Sequence, residues 1–234
     1  MTDKEPDLAI KKHWVNAFPT PIVTYPWPDS EALNADLRAL ILAREAASDG
    51  GMTRSNLGGW HSELDLFTWE SPAVKTLHDR VRRAAVEVTR NALARAPSRR
   101  FRATYRMLAW ANVMRDGHYH NVHNHPANTW SGVYYVDDGA PEAGRRLNGE
   151  LELLDPRLGA NMVSLANGPF ELRYTIRPRP GLMVIFPSWL NHLVHPFVGV
   201  GARISVAFNV LVDDLRFIDA DAGGAPPSNG DPDE

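Results

Sequence analysis

From Phe101 onward the hydrophobic period of this chain changes from helical to alternating, and no helical crossover follows. Short runs rich in Val, Ile, Tyr and Trp are separated by Gly, Pro, Asn and Asp. They predict strands near 101–114, 129–137, 149–154, 169–176, 181–187, 192–197 and 203–212. Parallel pairing needs crossover connections, usually helical, and none is present. The chain is therefore mainly β with flanking helices, folded as an antiparallel sandwich or barrel.

Two helices precede the strands. Asp29 or Ser30 can cap the first, whose apolar face is Leu33, Leu37, Leu40, Ile41 and Ala47, and Ser48-Asp49-Gly50-Gly51 stops it. Arg44 interrupts that stripe. Ser71 caps the second helix and Pro72 occupies its first turn. Val74, Leu77, Val81, Ala85, Val88 and Ala92 then recur at helical spacing until Ala96-Pro97-Ser98 closes it. Between the helices, Leu57-Gly58-Gly59-Trp60-His61-Ser62 reads as a loop. Residues 1–28 hold five prolines and read as an extended lead-in with one strand near Phe18 to Val23. One domain is expected over 1–212, its helical part about 29–96 and its β core about 101–212. Residues 213–234, acidic and rich in Pro and Gly, are expected to form a disordered tail.

With 234 residues the chain can bury a sizeable core. A net charge of −3 gives no reason to expect nucleic acid or an anionic membrane as a partner. No run approaches a membrane span or the apolar segment of a signal peptide, so a cytoplasmic protein is expected. Cysteine is absent, which removes disulfides, a thiol nucleophile and thiolate metal sites together. Nitrogen and oxygen donors remain, and these suit iron, zinc, copper or nickel. An exposed edge in a sandwich is a common dimer contact, so a homodimer is carried as an expectation.

Four of the nine histidines fall within the eight residues from His118 to His125. His123 and His125 stand two apart, and in an extended backbone such residues project from one face. Two imidazoles can thus converge on one point. His118 and His120 read as surface histidines. A distant candidate, His192, follows the apolar run Leu182 to Phe186 and the turn Pro187-Ser188-Trp189, with His195 competing three residues on. Arg203 and Ser205 share a strand face. A barrel-interior arginine is expensive unless it meets an anion, and a guanidinium beside a hydroxyl suits a carboxylate. The alternative pairs Arg203 with an acidic residue or leaves it in solvent. Tyr134, Tyr135, Trp110, Trp130 and Trp189 read as core. Asp155-Pro156-Arg157 reads as a turn or an anion site.

These pieces come in a fixed order: Gly58-Gly59-Trp60-His61-Ser62, Trp110-Ala111-Asn112, Gly117, His123-Asn124-His125-Pro126 and Ser131-Gly132-Val133-Tyr134-Tyr135. Gly149-Glu150-Leu151, Asp155-Pro156-Arg157, Phe186-Pro187-Ser188-Trp189-Leu190-x-His192 and Arg203-x-Ser205 follow. The pattern spans roughly residues 15–212 and resembles a family of bacterial 2-oxoglutarate- and iron(II)-dependent oxygenases. The resemblance implies a double-stranded β-helix (jelly-roll, cupin-like) core with the two helices packed outside. It implies that iron(II), 2-oxoglutarate and O2 are used together, releasing succinate and CO2 while a small molecule or a peptide-like substrate is hydroxylated.

By the same resemblance, His123 matches the first metal ligand and His192 the distal one, in preference to His195. Arg203 and Ser205 match the pair that holds the distal carboxylate of 2-oxoglutarate. His125 stands where the wider superfamily carries Asp or Glu. Either it ligates, giving a three-histidine site, or it swings away and another group fills the third position. Asn112, Asn124 and Asn128 are candidates to orient the imidazoles, with Asn112 also assigned to the co-substrate site. Two other readings compete: a cupin-like three-histidine dioxygenase or isomerase that needs no 2-oxoglutarate, and a barrel that binds a metal or ligand without turnover.

Overall fold

The structure is a computed structural model and describes residues 17–93, 100–159, 162 and 173–218. The lead-in strand β1 (Val23–Pro26) is followed by helix α1 (Glu31–Ala46), two short strands β2 (Asn56–Leu57) and β3 (Trp60–His61), and helix α2 (Pro72–Ala92). The β core then runs β4 (Arg100–Met114), β5 (Tyr119–His123), β6 (Trp130–Asp138), β7 (Leu151–Leu153) and β8 (Tyr174–Ile176). It ends with β9 (Leu182–Pro187), β10 (His192–Val194) and β11 (Arg203–Ile218). One sheet has the order β1-β9-β6-β11-β4-β3 and the other β2-β5-β10-β7-β8, with antiparallel pairing throughout the named strands. This is the double-stranded β-helix arrangement.

Alternation divides the six-stranded sheet into two functions. Ala109, Ala111 and Val113 on β4, with Ile204, Val206, Phe208 and Val210 on β11, join one core with Leu37 and Ile41 of α1 and Leu77 and Val81 of α2. Each of the Val, Leu, Ile and Phe side chains contributes about 1.5–3 kcal/mol on burial. The intervening residues, Trp110, Asn112, Arg203, Ser205, Ala207 and Asn209, face a cavity between the two sheets. A smaller core around Tyr135, Leu151, Leu153, Val184 and Phe186 closes the space beside it.

Both helices begin where the sequence predicts. Ser71 accepts the Ala73 N–H at 3.2 Å. Ser30 occupies the cap position of α1 but turns its hydroxyl away, donating to the Trp27 carbonyl at 2.9 Å and accepting from Arg80 at 2.7 Å. The expected closure of α2 at Ala96-Pro97-Ser98 and the start of the 169–176 strand lie outside the described residues.

Several boundaries differ. The first strand begins at Val23 rather than Phe18, because Pro19 and Pro21 have no N–H to give a ladder. The last strand does not stop at 212: after a register shift between Asp213 and Arg216 it pairs again with β4 as far as Ile218. The rest of the expected tail, 219–234, lies outside the described residues. The segment 57–62, expected as a loop, contributes two short strands, one to each sheet. Gly58 and Gly59 carry the chain across with φ of +68° and +72°. A Cβ on Gly59 would sit 2.7 Å from the Val113 carbonyl oxygen, so only glycine fits.

Candidate metal centre and its cavity

The cavity between the sheets measures about 360 Å³, and its walls explain how distant residues meet. His123, the last residue of β5, pairs directly with His192, the first of β10, and their ring centroids are 4.2 Å apart. His125 lies just past β5, where its backbone N–H donates to the Ser188 carbonyl at 2.9 Å. Its ring stands 5.1 Å from that of His123 and 5.2 Å from that of His192. One ring nitrogen from each of the three lies within 4.8 Å of the other two, a donor set that could hold a metal ion.

Main-chain carbonyls orient two of these rings. Nδ1 of His123 lies 2.7 Å from the Asn121 oxygen, and Nδ1 of His192 lies 2.9 Å from the Leu190 oxygen. A carbonyl only accepts, so Nδ1 carries the proton and Nε2 keeps its lone pair for a metal. The asparagines expected in this role have other partners: Asn124 donates to Asn191 and Asn128 to the Pro126 carbonyl. Burial holds the three imidazoles neutral, with His125 pushed down to about 4, His192 to about 3 and His123 lowered as well. For His192 and His125 the neighbouring ring of His123 adds to the effect.

Arg203 and Ser205 face the same cavity from β11. Arg203 is only 2% exposed. Its Nε donates to the Gly149 carbonyl at 3.1 Å, one terminal nitrogen lies 3.3 Å from the Met114 sulfur, and the guanidinium sits 5.3 Å above the Tyr135 ring. Among the described residues that line the cavity, none is Asp or Glu. Burial lowers the guanidinium pKa and pushes the Tyr135 phenol up to about 12. Asn112, the Cα partner of Ser205 across β4 and β11, is buried with its side-chain oxygen unpartnered.

His195 is not among the cavity-lining residues; its Nε2 lies 2.6 Å from a Glu152 carboxylate oxygen. Asp155 and Arg157 bond to each other at 2.6 Å, a local turn rather than an anion site. Trp189, expected in the core, is 53% exposed because it sits at the tip of the β9–β10 turn.

Three cavity residues escape a reading by alternation. His120, expected at the surface, is buried and lines the cavity. The pairing of β10 with β5 shifts between His192 and Val194, whose partners are His123 and His120. This bulge brings residues three apart onto one face. His120 is pushed down to about 3 by burial and then by the Arg203 charge. Ser55 Oγ lies 3.3 Å from both His120 Nδ1 and His123 Nε2. His61 is buried, holds the Ser62 carbonyl through Nδ1 at 2.6 Å and stacks on Trp110, which also touches His125. The Gly-Gly-Trp-His-Ser segment was the signal for His61; alternation gave none for His120.

Residues 108–209 match the family model described as "Putative 2OG-Fe(II) oxygenase". Over these residues the β core is similar to the 2OG-Fe(II) oxygenases. Solved structures that share its fold include a prolyl-4-hydroxylase from Pseudomonas putida, with 14% identity, a TM-score of 0.57 and coverage of 82% of this chain and 92% of that one. A prolyl hydroxylase from Trichoplax adhaerens, solved with a peptide fragment of the hypoxia inducible factor oxygen degradation domain, has 13% identity and a TM-score of 0.55, covering 81% and 83%. HygX from Streptomyces hygroscopicus, solved with nickel and 2-oxoglutarate, has 14% identity and a TM-score of 0.52, covering 82% of each chain. No curated protein matches the sequence. The description of the matching family names iron(II) and 2-oxoglutarate, and the three-imidazole cluster is a donor set that could hold the metal. No helix among the described residues is long and apolar enough to cross a membrane.

Proposed function

We propose that this protein is an oxygenase that binds iron(II) through His123, His125 and His192, holds 2-oxoglutarate with Arg203, Ser205 and Asn112, and oxidises a small-molecule or peptide-like substrate. The observation that carries the reading is the buried, acid-free Arg203 facing a three-imidazole cluster across one cavity. A guanidinium in such a place costs several kcal/mol without an anion, and the distal carboxylate of 2-oxoglutarate answers that need through a charge-assisted pair. A three-histidine barrel working without a co-substrate has no use for it.

The residues fit the group on three counts. Two imidazoles have their tautomers set by carbonyls, with Nε2 left as donor. All three are held neutral by burial, so no proton need be displaced at neutral pH. The Asn112 amide, whose buried oxygen lacks a partner, can turn to offer its N–H groups to a carboxylate. When bound, iron with 2-oxoglutarate and O2 supplies the oxidising chemistry; the chain supplies position and a dry wall.

His120 and Ser55 extend the assignment. Ser55 has one proton, and once His123 Nε2 is engaged by a metal, that proton serves His120 Nδ1. His120 then carries its own proton on Nε2, a neutral donor between the imidazole cluster and Arg203. Tyr135 joins Arg203 on the carboxylate side through its phenol. The cytoplasm remains the expected setting.

Purified protein supplied with iron(II) and air should convert 2-oxoglutarate to succinate slowly without a second substrate. Under argon, adding 2-oxoglutarate to the iron(II) protein should raise a weak visible charge-transfer band. Absence of both band and succinate would sink the reading.

A further inference from the structure

The charged side chains lining the cavity are two arginines and nothing else, among the described residues. Arg203 lies at the buried end, and the second, Arg54, stands at the exposed rim. An arginine at a surface is usually just solvated. Arg54 differs in its anchoring and in what surrounds it. Its backbone N–H donates to Asn56 at 2.8 Å, and the neighbouring Ser55 carbonyl accepts from Asn121 at 2.9 Å, which ties this corner to the edge of β5. Its guanidinium has no hydrogen bond or ion pair with any described residue, and its charge bears on the buried His61 ring.

The sum of charge then points to a ligand. Three neutral imidazoles leave both charges on an iron(II) ion, where a carboxylate ligand would have cancelled one. The dianion of 2-oxoglutarate cancels two of the four positive charges on the ion, Arg203 and Arg54, its distal carboxylate pairing with Arg203, which leaves a surplus of positive charge shared between the metal and Arg54 in a partly desolvated space. Leu64, Trp110 and Val133 line the same cavity and give it apolar walls. Such a site repels cations and attracts a second anion.

Resting on the function proposed above, we infer that the primary substrate is an anionic small molecule with an apolar body, whose carboxylate is received by Arg54 at the cavity rim. The guanidinium presents two parallel N–H donors to a carboxylate, and Trp110 and Leu64 cover the body that is offered to the metal. Arg54 selects substrate; it takes no part in the oxidation.

The test uses full-length protein loaded with iron(II) and 2-oxoglutarate under argon, where binding is read without turnover. Calorimetry compares a matched set of monocarboxylic acids with their primary amides and with the corresponding amines, spanning aliphatic, aromatic and N-acylamino-acid bodies. In the wild type, acids should bind about tenfold tighter than their amides. Arg54→Ala should bring the two within about threefold, Arg54→Lys should keep part of the preference, and Arg54→Glu should turn it towards the amines. In air, the acids that bind should raise succinate formation above the substrate-free rate of the same protein. The inference is overturned if no acid outperforms its amide, or if the preference survives Arg54→Ala. Failure of 2-oxoglutarate itself to bind during loading overturns the underlying function as well, so the two failures are separately visible.

Discussion

Replacing Arg203 with methionine separates a ligand-binding arginine from a structural one, because the two roles predict opposite changes. Methionine keeps an unbranched apolar stem of similar reach and removes the charge. In the fold, Arg203 has one good hydrogen bond, to the Gly149 carbonyl, a weak contact with the Met114 sulfur and a position over Tyr135. No carboxylate lines the space around it, among the described residues. Losing that one bond, whose donor is charged, costs about 1.5–3 kcal/mol, and relieving an unpaired buried charge returns a similar or larger amount. The metal-free Arg203→Met protein should therefore melt within about 4 °C of the wild type, or above it. Binding of 2-oxoglutarate should suffer far more. A two-pronged charge-assisted pair is worth about 3–4 kcal/mol, which is a loss on the order of 10²- to 10³-fold in affinity. Anaerobic calorimetry on the iron(II) protein reads the affinity, and thermal melts read the stability. A variant that melts many degrees lower yet binds 2-oxoglutarate normally would refute the reasoning.

Three further outcomes follow from the geometry. His125→Asp should retain iron(II) but weaken 2-oxoglutarate by about three- to tenfold, since the carboxylate cancels one charge on the metal; unchanged affinity by calorimetry would show that His125 stands clear of it. The metal-free protein should lose stability as pH falls from 6.5 towards 4. In that window an unfolded chain protonates its histidines, while the folded state holds His120, His125 and His192 neutral down to about 3–4. Each costs up to about 1.4 kcal/mol per pH unit, so melts at pH 5.0 and 7.5 that coincide would contradict the burial argument. Gly59→Ala should destabilise by about 2–3 kcal/mol, from a φ of +72° and a Cβ 2.7 Å from the Val113 oxygen; a denaturant midpoint equal to wild type would argue that the crossing is loose.

Helices and long strands were legible because their signals are local. Ser71-Pro72 followed by a 3.6-residue apolar period needs no tertiary information, and β4 and β11 are long enough for alternation to accumulate. The pair His123/His125 and the pair Arg203/Ser205 were legible for the same reason, since i, i+2 spacing fixes a shared face on an extended chain. The two-residue strands β2 and β3 were not, since neither is long enough to show a period and both depend on partners elsewhere. Ordering of the imidazoles by carbonyls was equally hidden, because main-chain acceptors leave no mark on side-chain identity. Trp189 misled by its composition: an aromatic in a turn has no obligation to be buried.

His120 exposes the deeper reason. Strict alternation sets residues 120 and 123 on opposite faces of a strand, yet both rings enter the cavity, because β5 carries an extra residue opposite β10. A second register shift lies where β6 meets β11, between Ile204 and Ser205, beside the arginine. Both irregularities fall on strands that wall the site, one next to the imidazole cluster and one next to Arg203. A regular pair of sheets offers each strand only every second side chain, which limits how many polar groups can converge on a volume as small as this one. A bulge breaks that limit locally by turning consecutive residues towards the same side. The period that makes the fold predictable is thus the property the site has to violate, so groups such as His120 are found by pairing and not by spacing.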